Sequence, residues 1–467
     1  MRTRGHQLPA RCRGITWEKK MKVTVIGMGR LGVPYLTALA ELGHNVLGVD
    51  INPETLEALT AGRCPFDEPG ITDYIAKHTA AGRMRFTDSY DEAAAHGDVF
   101  FLAVPTPQRE GAMTMDLSAV EEAIVALARR LTRSAVLIGK SSLPVGESGR
   151  LAALAAAEAP NGVRLRVGWS PDFLREALSM ETSLRPARLV LGSSDADRTV
   201  VESIARRVWA GWLEAGVVML STDLVTADLT KAAANAFLST KLSFANLIDD
   251  ICQAAGADSR TVATAMGLDP RIGPFGLTAG LGWGGSCLSK DIRALADRAQ
   301  ALGQSAAANF LSCVDQTNTA RRELAVAHAA AILPGGLRGA VVALWGASYK
   351  PSVGDISDSP ALDVAMRMQR AGAEVRVHDP SVNDLVRRHY PELTVVEVPA
   401  EALAGAGVLI VATDWPRYTA LDPVSLADST TRTVIDARHC LDPTRWRAAG
   451  WDHQQLGEFR HHAVQEA

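Results

Sequence analysis

The 467-residue sequence predicts an α/β protein: two Rossmann-like doubly wound domains joined by a long central helix and a helical middle domain. Three observations lead to this reading. Lys22–Ile26 (KVTVI) runs into Gly27-Met28-Gly29-Arg30-Leu31-Gly32, then a helical pattern to Leu42 and a second strand, Asn45–Val49, ending at Asp50. A further series of strand and helix patterns begins at Gly339. Between the two, residues 223–257 read as one alanine-rich, proline-free helix, a length that usually links domains or pairs with a partner.

The first stretch is a dinucleotide fingerprint in its required setting of strand, glycine turn, helix, strand and acidic residue. Gly27, Gly29 and Gly32 permit a tight turn, so that a pyrophosphate can sit on the helix N-terminus with Met28, Arg30 and Leu31 around it. Asp50 is placed to accept from both ribose hydroxyls and to repel a 2′-phosphate, which favours NAD over NADP. Two later strands, Asp98–Val104 and Ser134–Gly139, run into the loops Val104-Pro105-Thr106 and Lys140–Gly146, the latter containing Ser142. Loops at the carboxyl ends of strands are where doubly wound sheets bind ligands. Leu165–Gly168 leads to Ser170–Glu176 (SPDFLRE), and Arg188–Gly192 reads as the last short strand of this domain.

On the long helix, Lys231 and Asn235 are one turn apart and share a face, either as a polar pair aimed at a ligand or as a solvated edge. The second series contains strands at Ala340–Trp345, Glu374–His378, Val408–Thr413 and Thr433–Asp436, with a helix at Pro360–Ala371. It carries Gly346-Ala347-Ser348-Tyr349 in place of a dinucleotide fingerprint. The expected divisions are an N-terminal extension over 1–20, an NAD-binding domain over 21–205, a helical dimerisation and catalytic domain over 206–330, a nucleotide-sugar-binding domain over 331–455 and a tail over 456–467.

Composition narrows the function classes. Lys+Arg 48 against Asp+Glu 52 gives a net charge of −4, with no basic field to suggest nucleic acid or an anionic membrane. Six scattered cysteines with no CxxC pair fit a reduced, cytoplasmic chain and argue against a disulfide framework or a zinc site. No apolar run is long enough to span a bilayer, and the basic first twenty residues lack the apolar stretch of a secretory signal. The chain's densest glycine cluster is Gly280–Asp291 (GLGWGGSCLSKD), which leads directly into Cys287. Such glycines let backbone approach a ligand closely, and a thiol there can attack it, although a lone cysteine more often simply packs.

The ordered motifs VIGMGRLG, VPTP, KSSLPVG, SPDFLRE, DLTKAAANAFLSTKLSFAN, DPRIGP, GLGWGGSCLSKD, YKPSVGDISDSPAL and ATDW resemble the UDP-glucose/GDP-mannose dehydrogenase family from about Met21 to about Trp446. KLSFAN and DPRIGP favour its UDP-glucose branch. The resemblance implies a four-electron oxidation of a primary alcohol to a carboxylate, in two NAD-dependent steps without release of the aldehyde. It implies Cys287 as the nucleophile, Lys231 and Asn235 at the substrate oxygen, Asp291 at the hydrolytic water and Asp172 as a general base. Glu176 and Lys290 join the cofactor contacts by the same resemblance. The substrate contacts become Asp172, Phe173, Leu174, Arg175, Lys231, Asn235, Gly280, Gly282, Gly284, Tyr349, Lys350 and Arg438. Arg271 would reach the substrate of a neighbouring subunit, so a homodimer or higher homo-oligomer is expected. Five positions depart from the family pattern: Asp172 for glutamate, Ser142 for threonine, Ser357 for arginine, His439 for asparagine and Trp283 for phenylalanine. The alternatives to test are the same chemistry on another nucleotide sugar, a silent sugar-nucleotide-binding protein, or a two-electron hydroxy-acid dehydrogenase.

Overall fold

The computed structural model describes residues 20–109, 111–426 and 429–458. The expected extension before Lys20 and the tail after Glu458 lie outside the described residues. The chain forms two compact units, divided between Lys231 and Ala232 except that the short segment before Met115 groups with the second.

The first unit is built on eight strands: β1 (Lys22–Ile26), β2 (Asn45–Val49), β3 (Met84–Thr87), β4 (Val99–Leu102), β5 (Ala135–Gly139), β6 (Leu165–Trp169), β7 (Leu189–Ser193) and β8 (Met219–Thr222). Their order is β3-β2-β1-β4-β5-β6-β7-β8, parallel except where β7 runs antiparallel to β6. β1, β4 and β5 are buried on both faces, as their continuous apolar runs require. Strand order reverses between β1 and β4, so the crevice at their carboxyl ends is where such a sheet binds a ligand.

Arg188–Gly192 is not the last strand of this sheet. β8 pairs beside β7, within a stretch expected to be helical. β3 and β8 are both edge strands of four residues, and β8 is half exposed, so neither carries the apolar run that marks an inner strand.

The helix Gly32–Glu41 follows β1 and is buried along nearly its whole length. Gly32 is required there, because a Cβ would overlap the carbonyl oxygen of Gly27. Beneath this helix, Trp209 donates its indole N–H to the Tyr35 hydroxyl at 2.8 Å, and the two rings flank Phe101.

A single helix, Leu224–Ala255, crosses the division between the units. Early in it, Asp228 is 2% exposed and anchors the turn before the helix Glu147–Glu158. Its Oδ2 accepts from the Gly146 amide at 3.1 Å, the Ser148 amide at 3.3 Å and the Ser148 hydroxyl at 2.7 Å. Burial dominates over these bonds and pushes its carboxyl up to about 6.

The second unit packs the helices Ser259–Gly267, Leu288–Ala301 and Ser305–Ile332 with a six-stranded, all-parallel sheet. Its strands are β9 (Val341–Trp345), β10 (Glu374–His378), β11 (Thr394–Val395), β12 (Val408–Val411), β13 (Thr433–Asp436) and β14 (Asp452–Gln455), in the order β11-β10-β9-β12-β13-β14. The edge strands β11 and β14 are the two absent from the sequence reading; one has two residues and the other reads DHQQ, without an apolar pattern. Among the described residues, no helix is long and apolar enough to cross a membrane.

The Asp228 carboxyl is raised in the folded state, so its contribution to stability is full below the unfolded value near 4 and is lost as pH rises through about 6. Asp228→Asn keeps a neutral acceptor at every pH. Its melting temperature relative to the unaltered protein should therefore climb between pH 4 and pH 7, by the equivalent of roughly 2–3 kcal/mol at most. Parallel melting curves across that range would contradict this assignment.

Candidate active site

In the first unit the glycine turn and two strand-end loops form one lip of the crevice. Gly27 has φ +95°, and its amide donates to Val49 O at 2.8 Å. A Cβ on Gly27 would press to 2.8 Å from the Ala103 carbonyl and the Val104 nitrogen, whereas one on Gly29 would meet nothing within 4 Å. Close packing on one side and open space on the other is the shape a phosphate-binding turn needs. Asp50 stands at the end of β2 with Oδ2 accepting from the Met28 amide at 2.6 Å and Oδ1 from the Asn52 amide at 2.9 Å. These bonds fix its carboxylate beside the turn, where ribose hydroxyls would approach. Arg30 lies over the Phe66 ring, and Leu31 caps the helix. The residues present thus fit the NAD expected from the sequence.

The loops after β4 and β5 are tied together. Ser141 donates to Val104 O at 2.6 Å and Thr106 donates to Ser142 O at 3.0 Å, so Val104, Pro105, Thr106 and Ser142 form one edge. Behind them Lys140 is 3% exposed, with Nζ 3.4 Å from Asp172 Oδ1. Burial lowers its ammonium below the usual lysine range, and Asp172 opposes that shift. Asp172 Oδ2 accepts from the Leu174 amide at 2.6 Å. Phe173 carries Arg188 over its ring at 3.7 Å and Lys231 at 5.5 Å. The Arg175 amide donates to Thr182 Oγ1 at 3.4 Å. Beyond Glu176 the backbone turns through Ala177 at φ +67°, and the buried carboxylate of Glu68 holds it there by accepting from the Ala177 and Ser179 amides.

The second unit contains Asn235, the glycine loop and Cys287. Cys287 is exposed and caps the helix Leu288–Ala301, whose first-turn amides favour negative charge at that end. One turn in, Asp291 is 2% exposed and has both oxygens engaged. Oδ2 accepts from Asn235 Nδ2 at 2.6 Å, and Oδ1 pairs with Lys290 Nζ at 2.9 Å. The sequence reading placed Lys290 with the cofactor; its ion pair is with Asp291.

Neighbouring groups crowd or hydrogen-bond each glycine of the loop. The Gly280 amide donates to Asn246 Oδ1 at 2.8 Å, and its carbonyl accepts from Arg321 at 3.0 Å. Gly282 has φ +91°, and a Cβ there would overlap Asn318 Oδ1, the atom that accepts from the Trp283 amide. A Cβ on Gly284 would overlap the Asp358 carbonyl, and one on Gly285 would strike the Tyr349 ring. Lys350 lies over that same ring at 5.4 Å. Arg438 donates from Nε to Ala412 O and from Nη1 to Gly282 O, each at 2.7 Å. Its buried Nη2 has no acceptor among the described residues, which leaves a donor for an anionic ligand. Arg271 is apart from all of these, with its side chain 87% exposed and paired to Asp269 at 2.6 Å.

Sequence reasoning missed Lys140, Glu68, Asn246, Asn318, Arg321 and Asp358. The last has φ +41°, and its carboxylate takes Ser289 and Arg322. Gly303 offers a control for the braced loop, since its φ is +75° but nothing lies near its Cβ position. Gly303→Ala should cost about 1 kcal/mol through backbone strain alone. Gly282→Ala should cost roughly 2–4 kcal/mol, because it also breaks the Asn318 clamp. Equal losses by calorimetry would contradict the clamp.

Three family models match the chain: the UDP-glucose/GDP-mannose dehydrogenase family NAD binding domain over 21–213, its central domain over 225–320 and its UDP binding domain over 343–443. The chain is 33% identical over 450 residues to a UDP-glucose 6-dehydrogenase of Pseudomonas aeruginosa, covering 94% of this chain and 98% of that protein. It is 34% identical over 439 residues to one of Rhizobium meliloti, covering 94% and 99%. Among solved structures, a UDP-glucose dehydrogenase from the archaeon Pyrobaculum islandicum superposes with a TM-score of 0.86 at 33% identity, covering 97% of this chain and 99% of that one. A UDP-D-ManNAc dehydrogenase from Pyrococcus horikoshii, at 23% identity and TM-score 0.81, shares the fold. With an NAD fingerprint in one unit and a UDP-binding domain in the other, the chain belongs to the UDP-glucose/GDP-mannose dehydrogenase family and is an NAD-dependent nucleotide-sugar 6-dehydrogenase.

Proposed function

We propose that the protein oxidises UDP-glucose to UDP-glucuronate at C6 in two hydride transfers, through a covalent intermediate on Cys287. The observation that supports this best is the exposed Cys287 at a helix N-terminus, one turn from a buried Asp291 that holds Asn235 and Lys290. NAD, when bound at the Gly27–Gly32 turn and Asp50, supplies the hydride acceptor. Lys231 takes the proton of the C6 alcohol, and Asn235 donates to the oxygen as charge develops on it. The Cys287 sulfur then adds to the aldehyde carbon, giving a thiohemiacetal. Loss of a second hydride leaves a thioester, which water held near Asp291 hydrolyses to the carboxylate. The balance is one alcohol, one water and two NAD giving one carboxylate, two NADH and three protons. Asp172 serves as the carboxylate base, with Phe173, Leu174 and Arg175 as its neighbours. Arg438, Lys350 and Tyr349 hold the nucleotide end.

The same reading includes a homodimer. Phe237, Phe244, Leu247 and Ile251 are exposed at spacings of seven, three and four, which place them on one stripe of the long helix. A second copy of this chain would cover that stripe, and the exposed Arg271 would reach the substrate of that copy.

An assay across several nucleotide sugars tests the reaction. UDP-glucose should yield two NADH per sugar, and Cys287→Ser should lower carboxylate formation by roughly 10³-fold or more. One NADH per sugar, or full turnover by Cys287→Ser, would count against the scheme; faster turnover of another nucleotide sugar would reassign the substrate. For the assembly, sedimentation should give a dimer, and Phe244→Asp should shift it to monomer with loss of activity. An active monomer would refute the trans role of Arg271.

A further inference from the structure

None of the roles above uses Lys140, yet it is a buried charge at the ligand-binding edge of the first sheet. It follows β5 directly and is 3% exposed, a burial lysine rarely reaches unless paired. Its Nζ lies 4.7 Å from the centroid of the Tyr35 ring, whose hydroxyl accepts from the Trp209 indole. The carboxylate in reach is Asp172, whose Oδ1 stands 3.4 Å from Nζ. Asp172 is then held twice, because its Oδ2 closes a ring onto the Leu174 amide two residues on. That ring is a property of the short aspartate or asparagine side chain. The Asp172 side chain is 22% exposed and that of Lys140 only 4%, so an incoming ligand meets the carboxylate and not the ammonium.

We propose that Lys140 is a positioning residue of the dehydrogenase reaction: its ion pair from beneath and the Leu174 amide from the side together aim the Asp172 carboxylate. This two-point hold is what lets aspartate serve where the family pattern has glutamate. The inference rests on the place given to Asp172 in the proposed reaction.

Five variants test it in the full-length enzyme with NAD and UDP-glucose. Lys140→Met should lower kcat by roughly 10–100-fold, the scale of a misplaced catalytic group, with KM for NAD within about two-fold. Lys140→Arg should recover to within about five-fold of the unaltered enzyme. Asp172→Glu should lower kcat rather than raise it, since the ring to Leu174 is lost. The Lys140→Met/Asp172→Asn double variant should be no slower than Asp172→Asn alone, within about two-fold, because the two residues act as one. That double variant leaves no unpaired buried charge, so it stays informative if Lys140→Met folds poorly. Losses that multiply in the double variant, or a Lys140→Met enzyme with unchanged kcat and only a lower melting temperature, would overturn the proposal. Asp172→Asn with unaltered kcat would overturn it too. A yield of one NADH per sugar from the unaltered enzyme would instead refute the four-electron reading, while the Lys140–Asp172 coupling is still read on the first hydride transfer.

Discussion

The candidate site in the second unit is built around one buried carboxylate. Asp291 has both oxygens engaged, one by Asn235 from the long helix and one by Lys290 beside it. An isolated charge at that depth would be prohibitive, and removing one partner of such a pair typically costs about 3–5 kcal/mol. The pairing therefore fixes the rotation of the Asn235 carboxamide and the first turn of the helix that begins after Cys287. The glycine loop leads into the same end of that helix. Asn246, Asn318 and Arg321 hold its backbone, and Asp358 bonds Ser289, two residues past the thiol. The thiol itself remains exposed, while hydrogen bonds hold the loop before it and the helix turn after it.

The first unit solves a different problem with the same means. Parallel strands bring Gly27, Val104, Lys140 and Asp172 to the carboxyl edge, although they are scattered along the sequence from position 27 to position 172. Hydrogen bonds between the β4 and β5 loops join that edge into one surface. The long helix leaves this unit carrying Lys231, three residues after the Asp228 that anchors it to the Gly146 turn.

How much of this was legible in the sequence follows from the range of the interactions. The fingerprint was readable because its glycines, helix and Asp50 are locally spaced and each is demanded by backbone geometry. The central helix was readable because thirty-two residues without proline or a glycine break leave little alternative. The role of Lys140 was not readable: the sequence places it in a loop at a ligand-binding strand end, but only the fold puts Tyr35 and Asp172 around its ammonium. Glu68 bonds amides 109 and 111 positions away, and Asn318 reaches 35 residues back, separations with no periodic signal. Of the family departures, His439 acquires a partial physical account. It sits at φ +52°, a conformation that asparagine and histidine both adopt more readily than most residues, in a buried position 3.8 Å from Asp249. Ser357 is held by Asp355, and nothing in the structure explains the loss of the usual arginine.

The central claim is that oxidation passes through a covalent bond to Cys287. Turnover with NAD and UDP-glucose labelled in the sugar, quenched in acid and digested, tests it directly. The account predicts label on the peptide containing Cys287, lost on treatment with hydroxylamine and absent from Cys287→Ala. Full turnover with no label on that peptide, or label on another cysteine, would contradict it.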